Sequence, residues 1–274
     1  MRRVLRRLLQ NPAAVAGLLL LLAVVLLATL AGVIFPQDPF DIVARSYLPP
    51  FGAYLLGTDT LGRSIAASLA FGARASLLVG AAASVLITVL GVGIGAIGGY
   101  YGGRIDAVLS RVTEMFQTIP SFLFAIVLVA ILQPALQTTI LAIGAVSWPP
   151  LARLVRAEVA ALRRRDFVQG CTALGMRDGA ILLWQILPNA VPVIVVSVST
   201  LVATAILFEA GLSFLGLGDP NVMSWGLMIG AGRAAIRTAW WMSAIPGAAI
   251  LLTVLAINLV ADGLDDALNP RRAP

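Results

Sequence analysis

A chain that does chemistry needs nucleophiles, bases or groups that hold phosphate, and this sequence is short of all three. Its 274 residues include no His, and each of its 19 basic residues is Arg, so Lys is absent too. A Ser-His-Asp triad, a helical H-E-x-x-H zinc site and a lysine Schiff base are thereby excluded. So is a phosphate loop of the G-x-x-x-x-G-K-[ST] type, whose lysine must reach the β- and γ-phosphates. By that route the chain alone cannot hydrolyse ATP. Gly93-x-Gly95-x-x-Gly98 fits a dinucleotide fingerprint, yet it lies inside a charge-free interval of 29 residues. A true fingerprint follows a short strand and opens a soluble helix. Gly91, Gly95 and Gly99, and likewise Gly98 and Gly102, recur every four residues. That spacing makes small helix faces against which another backbone can pack closely. Cys171 is the single cysteine; it offers no internal disulfide, and a lone thiol in a loop is usually inert.

Carboxylates and guanidinium groups remain. Glu114 and Glu209 border apolar intervals, and an intramembrane carboxylate is a functional candidate by default. Both are therefore candidates for lining a pathway. Both also sit near the ends of apolar spans, where a structural or interface role fits equally.

The elements that would position these groups are membrane spans. Apolar residues make up 59% of the chain and charged residues 12%, against roughly half and a quarter in soluble domains. Charge-free intervals at 8–37, 75–103, 115–152, 179–208 and 239–261 each hold a span of about 20 residues. The interval 115–152 holds two, with a turn at Gln133-Pro134, which gives six. The spacing predicts spans near 13–35, 75–100, 107–132, 135–157, 190–208 and 239–261. Pro120 kinks the third and Trp148-Pro149-Pro150 bends or breaks the fourth. The first span is read as uncleaved, because it exceeds a signal-peptide core and Pro36-Gln37-Asp38 lacks a small-x-small cleavage site. With the N-terminus inside, the inner segments carry fourteen of the arginines and the outer ones five. This bias predicts N-in and C-in, and it accounts for the net charge of +6 without nucleic acid as a partner.

One inner segment, 158–188, is neither lipid-like nor disordered. Asp166 and Gln169 are spaced to cap a helix reciprocally. Gly175 can supply the positive φ that closes it, and Asp178 can start a second helix ending before Pro188. Two short helices around a glycine corner result; an interfacial helix lying on the inner leaflet is the alternative. On the outer side, Gly57-Thr58-Asp59-Thr60-Leu61-Gly62-Arg63 reads as a structured loop with a possible Asp59–Arg63 pair. The Gly-rich stretch 209–220 reads as a re-entrant or surface-lying element. Trp240-Trp241 reads as an interface belt.

The segment resembles the E-A-A…G…I-x-L-P signature of permease subunits of ATP-binding cassette importers, through Gly175 and Ile186-Leu187-Pro188-Asn189. More narrowly, the chain resembles the C-type permeases of dipeptide, oligopeptide and nickel importers. Leu56-Gly57-Thr58-Asp59, Leu61-Gly62-Arg63, Gly72-Ala73-Arg74-x-Ser76-Leu77, Gly99-Tyr100-Tyr101-Gly102-Gly103, Leu212-Ser213-Phe214-Leu215-Gly216-Leu217-Gly218, Ser224-Trp225-Gly226 and Asp262-Gly263-Leu264-x-Asp266 match in order from about 56 to 272. Gln169-Gly170-Cys171 stands where the family has E-A-A. Leu55 or Tyr54 replaces the histidine before the L-G-T-D element, and Ser64 replaces the acid after G-R.

The resemblance implies an all-α integral membrane protein with a MetI-like type I importer fold and a cytoplasmic coupling helix. It implies an N-terminal tail, first span and outer segment over 1–70, a permease domain over 71–265 and a cytoplasmic tail over 266–274. It implies a bacterial inner-membrane location and a heterodimer with a homologous permease. It further implies two separate ATPase subunits that bind ATP and Mg, and an extracytoplasmic substrate-binding protein. Residues 166–187 would dock on an ATPase through Asp166, Phe167, Gln169, Gly170, Ala173, Leu174, Gly175, Leu187 and Pro188. Substrates would be di- or oligopeptides, with chelated nickel, opines or oligosaccharides as alternatives. A secondary transporter is the rival of another class, but it normally needs titratable groups at mid-membrane, and the centres of these spans carry none. A membrane-embedded enzyme is a further rival, opposed by the missing His and Lys.

Overall fold

The computed structural model describes residues 2–268. Helix α1 (Arg2–Gln10) leads into α2 (Pro12–Ile34). Asn11 caps α2, its side-chain oxygen accepting from the N–H groups of Ala13 and Ala14 at 3.0 and 3.3 Å. Pro12 follows at a position that needs no donor. Residues 36–64 form no regular element beyond the isolated bridges Ile42–Arg63 and Thr58–Ser64. They are tied instead by the fully buried Thr58, whose hydroxyl donates to the Arg45 carbonyl and accepts from the Leu48 N–H. The expected Asp59–Arg63 ion pair does not form. The Asp59 carboxylate accepts the backbone N–H groups of Leu61 and Arg63, and the Arg63 guanidinium lies over the Phe40 ring.

Helix α3 (Ile65–Tyr101) starts ten residues before the predicted span. Arg74 interrupts the apolar run, but its guanidinium donates to the carbonyls of Ala28 and Thr29 on α2, so the charge is accommodated within the helix. The Gly91, Gly95 and Gly99 series does what its spacing predicts, whereas Gly102 ends α3 at φ +67°, so Gly98 and Gly102 share no helix face. Gly91 faces Leu151, Gly95 faces Ala152 and Val155, and Gly99 faces Arg156 and Val159, all on α7 (Pro149–Arg163). A Cβ on Gly91 would stand 2.9 Å from Leu151 Cβ.

The third predicted span is broken rather than kinked. Helices α4 (Gly103–Thr118) and α5 (Ser121–Leu132) meet at 82°. Pro120 forces Ile119 into extended backbone (φ −97°, ψ 130°), because its ring excludes the helical region for the preceding residue. Gln133 takes φ 71° at the next reversal. Then α6 (Leu136–Ser147) meets α7 at 44°, about Trp148. After α8 (Asp166–Ala173), α9 (Asp178–Ile181) passes through a π-turn, Leu182–Ile186, into α10 (Leu187–Phe214). The short α11 (Trp225–Gly232) and a 3₁₀ turn precede α12 (Trp241–Leu268).

Among the described residues four helices are long and apolar enough to cross a membrane, and the two bent pairs raise the number to six. Helix α2 lies on α12, where a Cβ on Gly17 would meet the Ala256 carbonyl at 2.8 Å. Helix α12 runs to Leu268, past the boundary at 265; the rest of the predicted tail, 269–274, lies outside the described residues.

Candidate functional site

The segment 158–188 forms an elbow at one end of the bundle. Its first limb, α8, follows Arg165, which is in extended backbone and gives the helix no side-chain cap. The reciprocal capping expected of Asp166 and Gln169 is absent: Asp166 is already helical, and the Gln169 amide donates to the Arg164 carbonyl at 3.4 Å. Val168 is buried and fixes the limb to the bundle, while Phe167 is 41% and Leu174 86% exposed. The corner has full Schellman geometry. Gly175 sits at φ +75°, its N–H donates to the Thr172 carbonyl, and the Met176 N–H donates to that of Cys171. These bonds satisfy the last orphan carbonyls of α8.

The second limb starts at Asp178, whose carboxylate accepts the Tyr100 hydroxyl at 2.8 Å, tying the elbow to the end of α3. This limb does not end before Pro188. The Leu187 N–H bonds the Leu182 carbonyl five residues back. A widened turn of that kind lets the proline ring clear the preceding carbonyls, so the helix continues into α10. Ile181 and Ile186 are fully buried, anchoring the limb, whereas Trp184 is largely exposed.

Of the residues singled out in sequence, Asp166, Phe167, Gln169, Gly170, Ala173, Leu174 and Gly175 share the exposed elbow. Leu187 packs against the core beyond the π-turn, and Pro188 is exposed beside it. The braces of the elbow carry no signal in the sequence. Tyr100 holds Asp178, and a two-pronged ion pair joins Asp106 of α4 to Arg156 of α7. Both pairs lie at least 50 residues apart in the chain, and no short-range pattern signals such a partner.

The two carboxylates do not meet. Glu209 is buried, and its two oxygens accept the hydroxyls of Ser76 on α3 and Ser213 on α10 at 2.9 and 2.7 Å. Ser76 also accepts the N–H of Trp225, so one buried node fixes α3, α10 and the start of α11. Glu114 is exposed and pairs with Arg111 at 3.4 Å. It lines a different cavity, beside Thr113 and Arg153. The stretch after Glu209 stays helical to Phe214 and turns at Gly216 (φ +83°). Asp219 then accepts the N–H of Leu136 at the start of α6. Trp240 is exposed, as a belt residue would be; Trp241 is buried, its indole N–H donating to the Thr58 carbonyl.

Fold and site together define a multi-pass helical membrane protein, with an exposed elbow at one end and no reactive constellation among the described residues. Residues 91–274 match the model of the binding-protein-dependent transport system inner membrane component, and residues 1–50 match that of the N-terminal TM domain of oligopeptide transport permease C. The dipeptide transport system permease protein DppC of Alkalihalophilus pseudofirmus is 38% identical over 98% of this chain and 90% of its own length. The di/tripeptide transport system permease protein DppC of Pseudomonas aeruginosa is 39% identical over 95% and 89%. A chain of the MetNI methionine ABC transporter, in an inward-facing conformation, superposes with a TM-score of 0.61 at 18% identity, covering 74% of this chain and 96% of that one. It shows the type I importer fold. The chain belongs to the binding-protein-dependent transport system inner membrane component family, the permease subunits of ABC importers, in which the ATPase is a separate subunit.

Proposed function

We propose that this chain forms half of the translocation pathway of an ATP-driven importer of di- or oligopeptides. The near full-length identity to peptide permeases carries this reading. A homologous permease supplies the other half, two ATPase subunits bind ATP and Mg, and an extracytoplasmic protein delivers the substrate. Both termini lie in the cytoplasm, in keeping with the arginine bias. The permease domain is 71–265, preceded by the 1–70 unit and followed by the 266–274 tail.

The elbow is the coupling device. Phe167 and Leu174 offer exposed apolar area, Asp166, Gln169, Gly170 and Ala173 complete the surface, and Gly175 sets its angle. When ATP closes the ATPase dimer, the docked limbs move as rigid bodies. Ile181 and Ile186 pass that motion through Leu187 and Pro188 into α10. Glu114 faces the pathway, and Glu209 sets where α11 sits at its outer end. The native mass of the detergent-extracted complex tests the assembly. One copy of this chain, one homologous permease and two ATPases are expected; a complex without ATPases would contradict it.

A further inference from the structure

An open cavity of about 490 Å³ lies where the end of α3 meets α4 and α7. Its charge is unbalanced. Asp106 and Arg156 both line it and neutralise each other through their ion pair. Arg163 and Arg164 also line it, and among the described residues Asp106 is the only carboxylate in its wall. The Arg163 guanidinium lies over the Tyr100 ring, 5.4 Å from its centroid. Gly102 leaves room for it, since a Cβ there would stand 3.4 Å from Arg163 Nη1.

Arg163 and Arg164 both line this one cavity, and among the described residues neither has an ion pair of its own; two such guanidinium groups match an anion with several oxygens, and their planar forks suit phosphate best. The setting indicates where that phosphate comes from. The cavity opens where the membrane-spanning α3 ends in the Tyr100–Tyr101 pair, rings 5.2 Å apart, the kind of place where aromatic residues mark the bilayer surface. The face of α4 turned away from Asp106 carries an exposed apolar series, Ile105, Val108, Val112 and Met115, as a helix bordering lipid does. Basic pockets where spans leave the membrane hold anionic headgroups in this way.

We propose that this cavity binds a phosphate-ester headgroup, supplied by an anionic phospholipid of the adjoining leaflet, with Arg163 and Arg164 holding the phosphate. Gln169 of the proposed docking surface also lines the cavity, but the proposal rests on the two arginines and the membrane setting, so its failure and a failure of the peptide-import reading are separable.

Native mass spectrometry of the full-length chain extracted from membranes tests it, with phosphatidylglycerol and phosphatidylcholine of equal chain length as probes. The unaltered chain is expected to retain phosphatidylglycerol about thirtyfold better, the effect of two arginines near an anionic headgroup. Arg163→Gln with Arg164→Gln loses that preference, and Arg163→Lys with Arg164→Lys keeps most of it. An unchanged preference in the glutamine pair would overturn the proposal. Displacement of the lipid by millimolar inorganic phosphate would assign the site to the free anion and overturn the membrane source. Circular dichroism identifies a variant that fails to fold; Arg163→Gln alone is then held to the same criterion.

Discussion

At the residue scale, Gly175 concentrates the account. Its φ of +75° lies in the left-handed region, yet a Cβ there would meet nothing within 4 Å. Any penalty for a side chain is therefore backbone strain and not a clash. A β-branched residue resists that region by about 1–2 kcal/mol, enough to open the corner while the spans insert normally. Gly175→Val is expected to abolish most uptake with unchanged membrane abundance, and normal uptake would refute the corner's role. The corner was legible because a glycine between two helix signals marks a helix end closed in the left-handed region. Asp166 as a cap was not, since Asp at the first helical position and Asp at the cap look alike in sequence. The two glutamates separate by environment. Glu209→Gln leaves one of two buried hydroxyls without its acceptor, so stability should fall by about 1–3 kcal/mol, read as a lower melting temperature. Glu114→Gln loses only an exposed pair, a negligible contribution to stability. Slowed uptake at unchanged stability is expected of it; an unchanged rate would remove Glu114 from the pathway.

At the element scale, the glycine repeat of α3 gives an internal comparison. Gly95→Leu would drive a side chain into the Ala152 carbonyl and Val155, whereas Gly93 faces open space. Overpacking of that kind costs typically about 1–3 kcal/mol. Thermal unfolding should show Gly95→Leu clearly destabilised and Gly93→Leu close to the parent; equal effects would contradict packing as the reason for the repeat. Periodicity made this contact readable, and proline marked both bent spans. The start of α3 and the continuity of α9 with α10 were not readable. In the first, Arg74 finds its acceptors on α2, 45 residues earlier. In the second, a π-turn absorbs Pro188, and local sequence rules treat a proline as a stop.

At the scale of the molecule, the arrangement separates the membrane pathway from the source of energy. The chain lacks His and Lys, its buried carboxylate is occupied by two serines, and its most exposed apolar surface includes the elbow beneath the bundle. Family membership places the ATPase on another subunit. The substrate is least legible from this chain, because capture belongs to a separate binding protein in the assembly proposed. The most direct measurement is uptake of a radiolabelled dipeptide into proteoliposomes, comparing the complete assembly with this chain and its homologous permease alone. ATP-dependent uptake is expected only when ATPases and binding protein are both present. Uptake by the permease chains alone, without nucleotide, would contradict it.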